Sequence, residues 1–289
     1  MDDLKWTIGD VEIFQIVELE AGKIIQNIIE DATPQKLQEM SWLYPYFVDE
    51  KGNFKAQVAS FLIKVGSKNI LVDTCNGNDK VRNDFPEWGN LHTNFLQKLD
   101  KIGEITKTDI DFVINTHLHT DHVGWNTELE KGIWVPTFLK AKYLFVQEEY
   151  DYWKQKPDKE MVDDNLSFDD SIVPVVKAKQ AKFVNADFKI DQHVSLLSTP
   201  GHTPGHVSIA IESQGEHAII SGDLFLHPCQ IAHPEWAIAA NTFPDKAFAT
   251  RKNILAKIVD TKTLFIGSHF ADPVAGRVIS SGSGFVFEV

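Results

Sequence analysis

Thr116-His117-Leu118-His119-Thr120-Asp121-His122 crowds three imidazoles and a carboxylate into six residues, directly after the apolar run Asp111-Phe112-Val113-Ile114-Asn115. The run reads as a buried strand, so the motif sits at a strand's mouth. Histidine and aspartate are the usual ligands of borderline metals such as zinc. Burying four such groups together without a cation leaves polar atoms unpaired and protons in conflict, and a metal resolves that. Further ligand types follow in Thr199-Pro200-Gly201-His202-Thr203-Pro204-Gly205-His206, in Ser221-Gly222-Asp223 and in Gly267-Ser268-His269. Each stands beside small residues that let the main chain turn tightly.

In this order the four segments, preceded by Ile70-Leu71-Val72-Asp73-Thr74, resemble the metallo-β-lactamase superfamily of metal-dependent hydrolases, from about Ile13 to the C-terminus. The resemblance implies an α/β protein with the αβ/βα four-layer sandwich, two mixed β-sheets flanked by helices. It implies two divalent metal ions. His117, His119 and His202 match the ligands of the first; Asp121, His122 and His269 match those of the second; Asp223 matches the carboxylate that bridges both. Asp73, in Ile70-Leu71-Val72-Asp73-Thr74, matches an aspartate that orients a ligand histidine, and His206 is read in a similar supporting role. A water bridging two such ions loses its proton near neutral pH and becomes the nucleophile. Asp121, a ligand that also shuttles a proton, is the expected general acid or base. Five imidazoles and two carboxylates suit zinc first, with iron, manganese and cobalt as alternatives.

Departures from other branches narrow the reading. Antibiotic-degrading members commonly carry cysteine where this chain has Asp223. Redox di-iron members have glutamate where it has His119, and a flavin domain that is missing here. Glutathione thioester hydrolases carry a basic helical region after the last ligand, whereas 20 residues follow His269. The likeness is then to lactonases and phosphotriester hydrolases: opening of a lactone or cleavage of an ester, with phosphotriester hydrolysis as the alternative. Acyl-homoserine lactonases place a tyrosine beside the metals, and none of the five tyrosines here matches it. A non-catalytic, metal-bearing binding or signal-response protein is the reading from outside the enzymes.

Composition bounds the partners. The 289 residues carry a formal net charge of -13, which slows the approach of polyanions and argues against nucleic acid. Two cysteines, Cys75 and Cys229, make no disulfide framework. The start of the chain lacks a basic stretch and an apolar core, and no run of about 18 apolar residues exists, so neither a secretory signal nor a membrane helix is expected. The expected setting is cytoplasmic. Because the motifs run from Asp73 to His269, residues 1–289 are read as one domain, with an irregular aromatic-rich segment at about 20–52.

The substrate is expected to be a small molecule with an apolar part, because aromatic residues crowd the predicted loops. Phe47, Trp125 and His227 are the candidates to touch it. The competing reading of such aromatics is packing onto the body or a homodimer face. His92, His193, His217 and His233 have no motif context and are read as structural or exposed.

Local patterns place the motifs. Residues 5–19 read as a hairpin turning at Gly9-Asp10, 54–65 and 69–73 as strands joined at Gly66-Ser67, and 91–102 as a helix. A strand is expected at Tyr143–Val146, with helices near 147–155 and 168–173. Short strands follow at 193–198, 207–212, 217–220 and 263–266. The helix at 245–259 is expected to be capped by Asp245 or a neighbour, with Phe248, Ile254, Leu255 and Ile258 on one face.

Overall fold

The chain reverses at Gly9-Asp10, where Gly9 takes a left-handed φ of 53° that a residue without Cβ adopts at little cost. Across this turn β1 (Lys5–Ile8) pairs antiparallel with β2 (Val11–Glu20). The computed structural model describes residues 4–156, 160–282 and 284–289. It divides into two compact units that alternate along the sequence. The first unit takes the described residues of Met1–Leu19 together with Val58–Ala186; the second takes Glu20–Gln57 and Asp187–Val289.

In the first unit the strands continue with β3 (Gln57–Val65), β4 (Lys68–Val72), β5 (Phe112–Ile114), β6 (Thr127–Glu130), β7 (Ile133–Pro136), β8 (Lys142–Val146) and β9 (Ala181–Val184). Seven of them form one mixed sheet in the order β1-β2-β3-β4-β5-β8-β9, while β6 and β7 make a separate hairpin. β4, β5, β8 and β9 run parallel. Central strands of such a sheet are covered on both faces and read as continuous apolar runs, as Phe61-Leu62-Ile63 and Ile70-Leu71-Val72 do; all six are buried. The helix Phe95–Gly103 buries Phe95, Leu99 and Gly103, spaced one turn apart. The expected helix at 91–102 thus starts four residues later, and Leu91 lies outside it.

The second unit builds its sheet from β10 (Val194–Ser198), β11 (Val207–Ser213), β12 (Glu216–Ile220), β13 (Leu264–Ile266), β14 (Ala275–Ser281) and β15 (Gly284–Glu288), in that order. β12 and β13 are parallel and the other neighbours antiparallel. The helix Pro244–Ile258 buries Ala247, Arg251, Ile254, Leu255 and Ile258. Two expectations change here. Phe243, not Asp245, is the capping residue and it makes no side-chain cap; Asp245 lies in the first turn, where its charge favours the helix dipole. Phe248 is 36% exposed, off the face it was expected to share with Ile254 and Leu255. The segment expected to be irregular apart from a short helix at Pro34–Met40 holds that helix, at Pro34–Glu39, and a second one, Gly22–Asn27.

Each sheet delivers functional side chains from the carboxyl ends of an adjacent parallel pair. Asp73 follows β4 and the histidine motif follows β5; Asp223 follows β12 and His269 follows β13. That is where ligand-bearing loops collect in parallel sheets. In the first unit the stretch after β4 also zips onto the end of the motif: Thr74 N donates to His122 O at 2.8 Å and Gly124 N to Cys75 O at 2.7 Å. The chains come so close that a Cβ on Gly124 would lie 1.8 Å from Asn76 O. Gly124→Ala should therefore lower stability by about 1–3 kcal/mol, as overpacked substitutions do. A denaturant midpoint equal to wild type would contradict this.

Lys80 is fully buried in the first unit. Its Nζ donates to Thr127 Oγ1 at 2.6 Å, lies 3.3 Å from Asp170 Oδ1 and sits 3.6 Å from the centroid of Trp134. Burial pushes its pKa down to about 7, against the pull of Asp170 and Asp79 and helped by nearby Arg82. Between about pH 7 and 10 the unfolded lysine still holds its proton while the folded one has lost it, so folding stability rises with pH through that window. Thermal melts should show wild type gaining on Lys80→Met across that range; parallel profiles would refute the depressed pKa.

Candidate functional site

In the first unit, one carboxylate organises the motif. Asp73 Oδ1 accepts the Thr116 amide at 2.7 Å, and both its oxygens lie within 3.1 Å of Thr116 Oγ1. Its Oδ2 accepts from His122 Nδ1 at 2.8 Å. Because the threonine hydroxyl donates to Asp73, its lone pair receives His117 Nδ1 at 3.0 Å. The tautomers of His117 and His122 follow from these bonds, and Nε2 is the nitrogen that could serve a metal. His117 and His119 offer ligand atoms within 4.8 Å of each other, as do Asp121 and His122. All four side chains are buried.

Two helices that the motif itself does not announce hold its backbone. Glu149, on the helix Gln147–Trp153, accepts the Leu118 amide at 3.1 Å and Trp153 Nε1 at 2.7 Å. Asp164, on the helix Val162–Ser167, accepts the Thr120 amide at 3.0 Å, and its Oδ2 lies 3.9 Å from His119 Nε2. Burial above all pushes the Asp164 carboxyl well above the usual range, with Asp121, Glu160 and Asp163 adding to the effect. Neither residue was singled out from sequence; the one signal there is that each is an acid inside a short helix, Gln147–Trp153 or Val162–Ser167.

In the second unit the arrangement centres on Asp223. Its Oδ2 lies 3.2 Å from His202 Nε2 and its Oδ1 lies 3.1 Å from His269 Nε2, so each oxygen faces a different imidazole. Both rings are fixed from behind: His202 Nδ1 meets Asn241 Oδ1 at 2.9 Å, and His269 Nδ1 donates to Gln57 O at 2.9 Å. The Asp223 amide donates to His206 Nε2 at 2.9 Å, and His206 Nδ1 donates back to Thr199 O at 3.0 Å. His206 thus uses both nitrogens to hold the main chain at Asp223 and Thr199. Gly201, at φ 137°, lets the His202 loop run against the helix Pro244–Ile258, where a Cβ would stand 2.3 Å from Ala247 N. Buried Arg251 donates to the carbonyls of Leu224, Pro234 and Trp236 and pins the chain after Asp223.

These donor sets fit a borderline divalent cation. Buried imidazoles present one nitrogen each, with the other nitrogen tied to a protein group, beside carboxylates and without a thiolate. Such a cation would compensate the charge of buried Asp121 and Asp223.

The residues expected beside substrate are placed elsewhere. Phe47 is buried against Phe270, Phe287 and the edge of His227. His227 stacks on Phe54 with ring centroids 3.6 Å apart, donates from Nε2 to Phe47 O at 2.9 Å and accepts the Cys229 amide at Nδ1. Burial pushes its pKa down to about 3, so it is neutral. Trp125 stacks on Phe95 and donates from Nε1 to buried Glu18. All three side chains are buried.

The metallo-beta-lactamase superfamily model matches residues 54–269, which include every ligand candidate. The chain belongs to the metallo-beta-lactamase superfamily. An N-acyl homoserine lactonase of a Bacillus species is 30% identical over 167 residues, 53% of this chain and 58% of that protein. A beta-lactamase-like protein 2 homolog of Caenorhabditis elegans is 28% identical over 168 residues, 58% of this chain and 44% of that one. The chain thus spans about three fifths or less of the length of these curated relatives. The solved hydrolase AbOPH of the beta lactamase superfamily superposes with a TM-score of 0.80 at 24% identity, covering 99% of this chain and 96% of that one. The dizinc quorum-quenching lactonase AidC gives 0.74 at 22% identity, covering 99% and 98%. Both share the metallo-beta-lactamase fold, a mixed α/β architecture with mixed sheets and helices.

His227→Ala should cost about 2–4 kcal/mol of stability, through two lost hydrogen bonds and a cavity beside Phe54. A variant of unchanged melting temperature would return His227 to the substrate candidates.

Proposed function

We propose that this chain is a dinuclear metal-dependent hydrolase that opens a lactone or cleaves a carboxylic ester. The observation that carries the reading is Asp223, whose two oxygens face His202 Nε2 and His269 Nε2. A carboxylate so disposed suits bridging two ions, His202 serving one and His269 the other. His117 and His119 would complete the first ion's ligands, and Asp121 with His122 those of the second. When bound, two such ions, zinc by preference, supply Lewis acidity and lower the pKa of a water toward neutrality.

The chain's own residues supply the rest. Asp73, Asn241 and the Gln57 carbonyl hold His122, His202 and His269 in the tautomer that offers Nε2, so little reorganisation is left for the reaction. Asp121 is the proposed proton carrier: its carboxylate takes the proton of the attacking water and returns it to the leaving alkoxide oxygen. In a lactone the water oxygen adds at the carbonyl carbon and the ring C–O bond breaks, giving a hydroxy acid. The relatives named as lactonases support this substrate class. We place the protein in the cytoplasm by the same reading; among the described residues no helix is long and apolar enough to cross a membrane.

Elemental analysis of gently purified protein, with lactone, ester and phosphotriester hydrolysis assayed on the same sample, tests the proposal. About two metals per chain and chelator-sensitive lactone or ester turnover are expected, and Asp223→Ala should lose metal and activity together. Two metals without turnover on the panel would favour a binding protein, and activity in a metal-replete Asp223→Ala enzyme would overturn the bridging role.

A further inference from the structure

We propose that His193, Glu212 and His217 form a further site for a borderline divalent cation such as zinc, separate from the ligand set described above. The three residues stand in one row across three neighbouring strands of the second unit. Glu212 and His217 are directly paired in the ladder of β11 and β12. On the other side Glu212 N donates to His193 O at 2.9 Å, one step beyond the Val194–Ile211 pair of β10 and β11. Residues directly opposed in a sheet share a face, with Cβ atoms about 4.5–5.5 Å apart. One carboxylate is thus flanked by two imidazoles, a donor set that suits zinc and its neighbours and leaves further positions to water.

The side chains are disposed for it. His193 Nδ1 donates to Glu212 O at 2.9 Å, which fixes the tautomer with a lone pair on Nε2. The side-chain amide of Gln192 meets that nitrogen at 3.0 Å, and an ion would take its place. His217 Nδ1 lies 4.0 Å from Glu212 Oε2. All three residues line one recess of about 230 Å³, with Asp191 and Lys189 also on its wall. Two carboxylates against one ammonium leave the recess net negative, which favours a cation. The side chains of His217 and Glu212 are 50% and 71% exposed, so they can close on an ion without disturbing the core.

The row lies at the far end of its strands from Asp223. Asp223 follows the carboxyl end of β12, whereas His217 is the second residue of that strand. His202 and His206 lie between β10 and β11, whereas His193 precedes β10 and Glu212 stands near the end of β11. An ion here would tie β10, β11 and β12 together. It would stabilise the folded chain by mass action, because unfolding scatters the three donors.

The probe is zinc ion, dialysed to equilibrium against the full-length wild type, His193→Ala and His217→Ala and counted by elemental analysis. Wild type should hold one zinc per chain more than either variant, and zinc should raise its melting temperature more than theirs. Equal zinc counts in the three proteins would overturn the proposal. Because the reading is a difference between proteins, it stands or falls apart from the hydrolase reading: a missing ion in both variants supports the row even in a protein without turnover. A second measurement needs no variant. In NMR spectra of the wild type, zinc should shift the ring signals of His193 and His217 together, and a titration that moves neither would refute the site.

Discussion

A carboxylate taken out of water has to find donors where it stands, and this requirement shapes both units of the chain. Asp73 meets it with an amide, a hydroxyl and an imidazole, all from Thr116 and His122. Asp223 turns its two oxygens toward two imidazoles, the place where a cation would compensate it, and its own amide is held by a third. Leaving such a group uncompensated would cost several kcal/mol. The neighbouring histidines are therefore committed in advance to one ring orientation. Selection for a buried acid and selection for a well-formed ligand set act on the same residues.

The two units solve the same problem with different materials. Each places an acid and a histidine at the carboxyl ends of two adjacent parallel strands, while His202 and His206 of the second unit lie between the antiparallel β10 and β11. The first unit then steadies the motif with side-chain acids borne on helices, Glu149 and Asp164. The second relies more on the main chain and on amides: the Gln57 carbonyl, Asn241 and the Thr199 carbonyl. Glycine makes the close approaches feasible at Gly124 in one unit and Gly201 in the other, where any side chain would strike backbone.

The residues that could hold a metal stood out in sequence because their spacing is local and chemically unusual. His117, His119, Asp121 and His122 lie within one turn of chain after a strand, and Asp223 and His269 each follow a short apolar run. The Asp73 contact, 49 residues from His122 along the chain, was read from the family resemblance and not from a local pattern. Glu149 and Asp164 were not legible, because they act on amides 31 and 44 residues away, and no local pattern encodes that distance. Phe47, Trp125 and His227 misled in the opposite direction. Aromatic residues in predicted loops read as exposed, yet here the loops carry them into the interior, where Glu18 and the Phe47 carbonyl satisfy their polar atoms. The hairpin of β6 and β7 and the helix Gly22–Asn27 escaped notice because each is short and lacks a strong period.

The alternation of the two units along the chain has a consequence for synthesis on the ribosome. β2 and β3 are neighbours in one sheet, yet the segment between them belongs to the other unit. That segment carries Phe47 and Phe54, whose packing partners His227, Phe270 and Phe287 lie near the far end of the chain. At a translation rate of about 5–20 residues per second, the stretch from Asp187 onward takes roughly 5–20 s to emerge. Through that interval a nascent first unit holds an apolar excursion with nothing yet made to cover it, a natural place for a chaperone to bind.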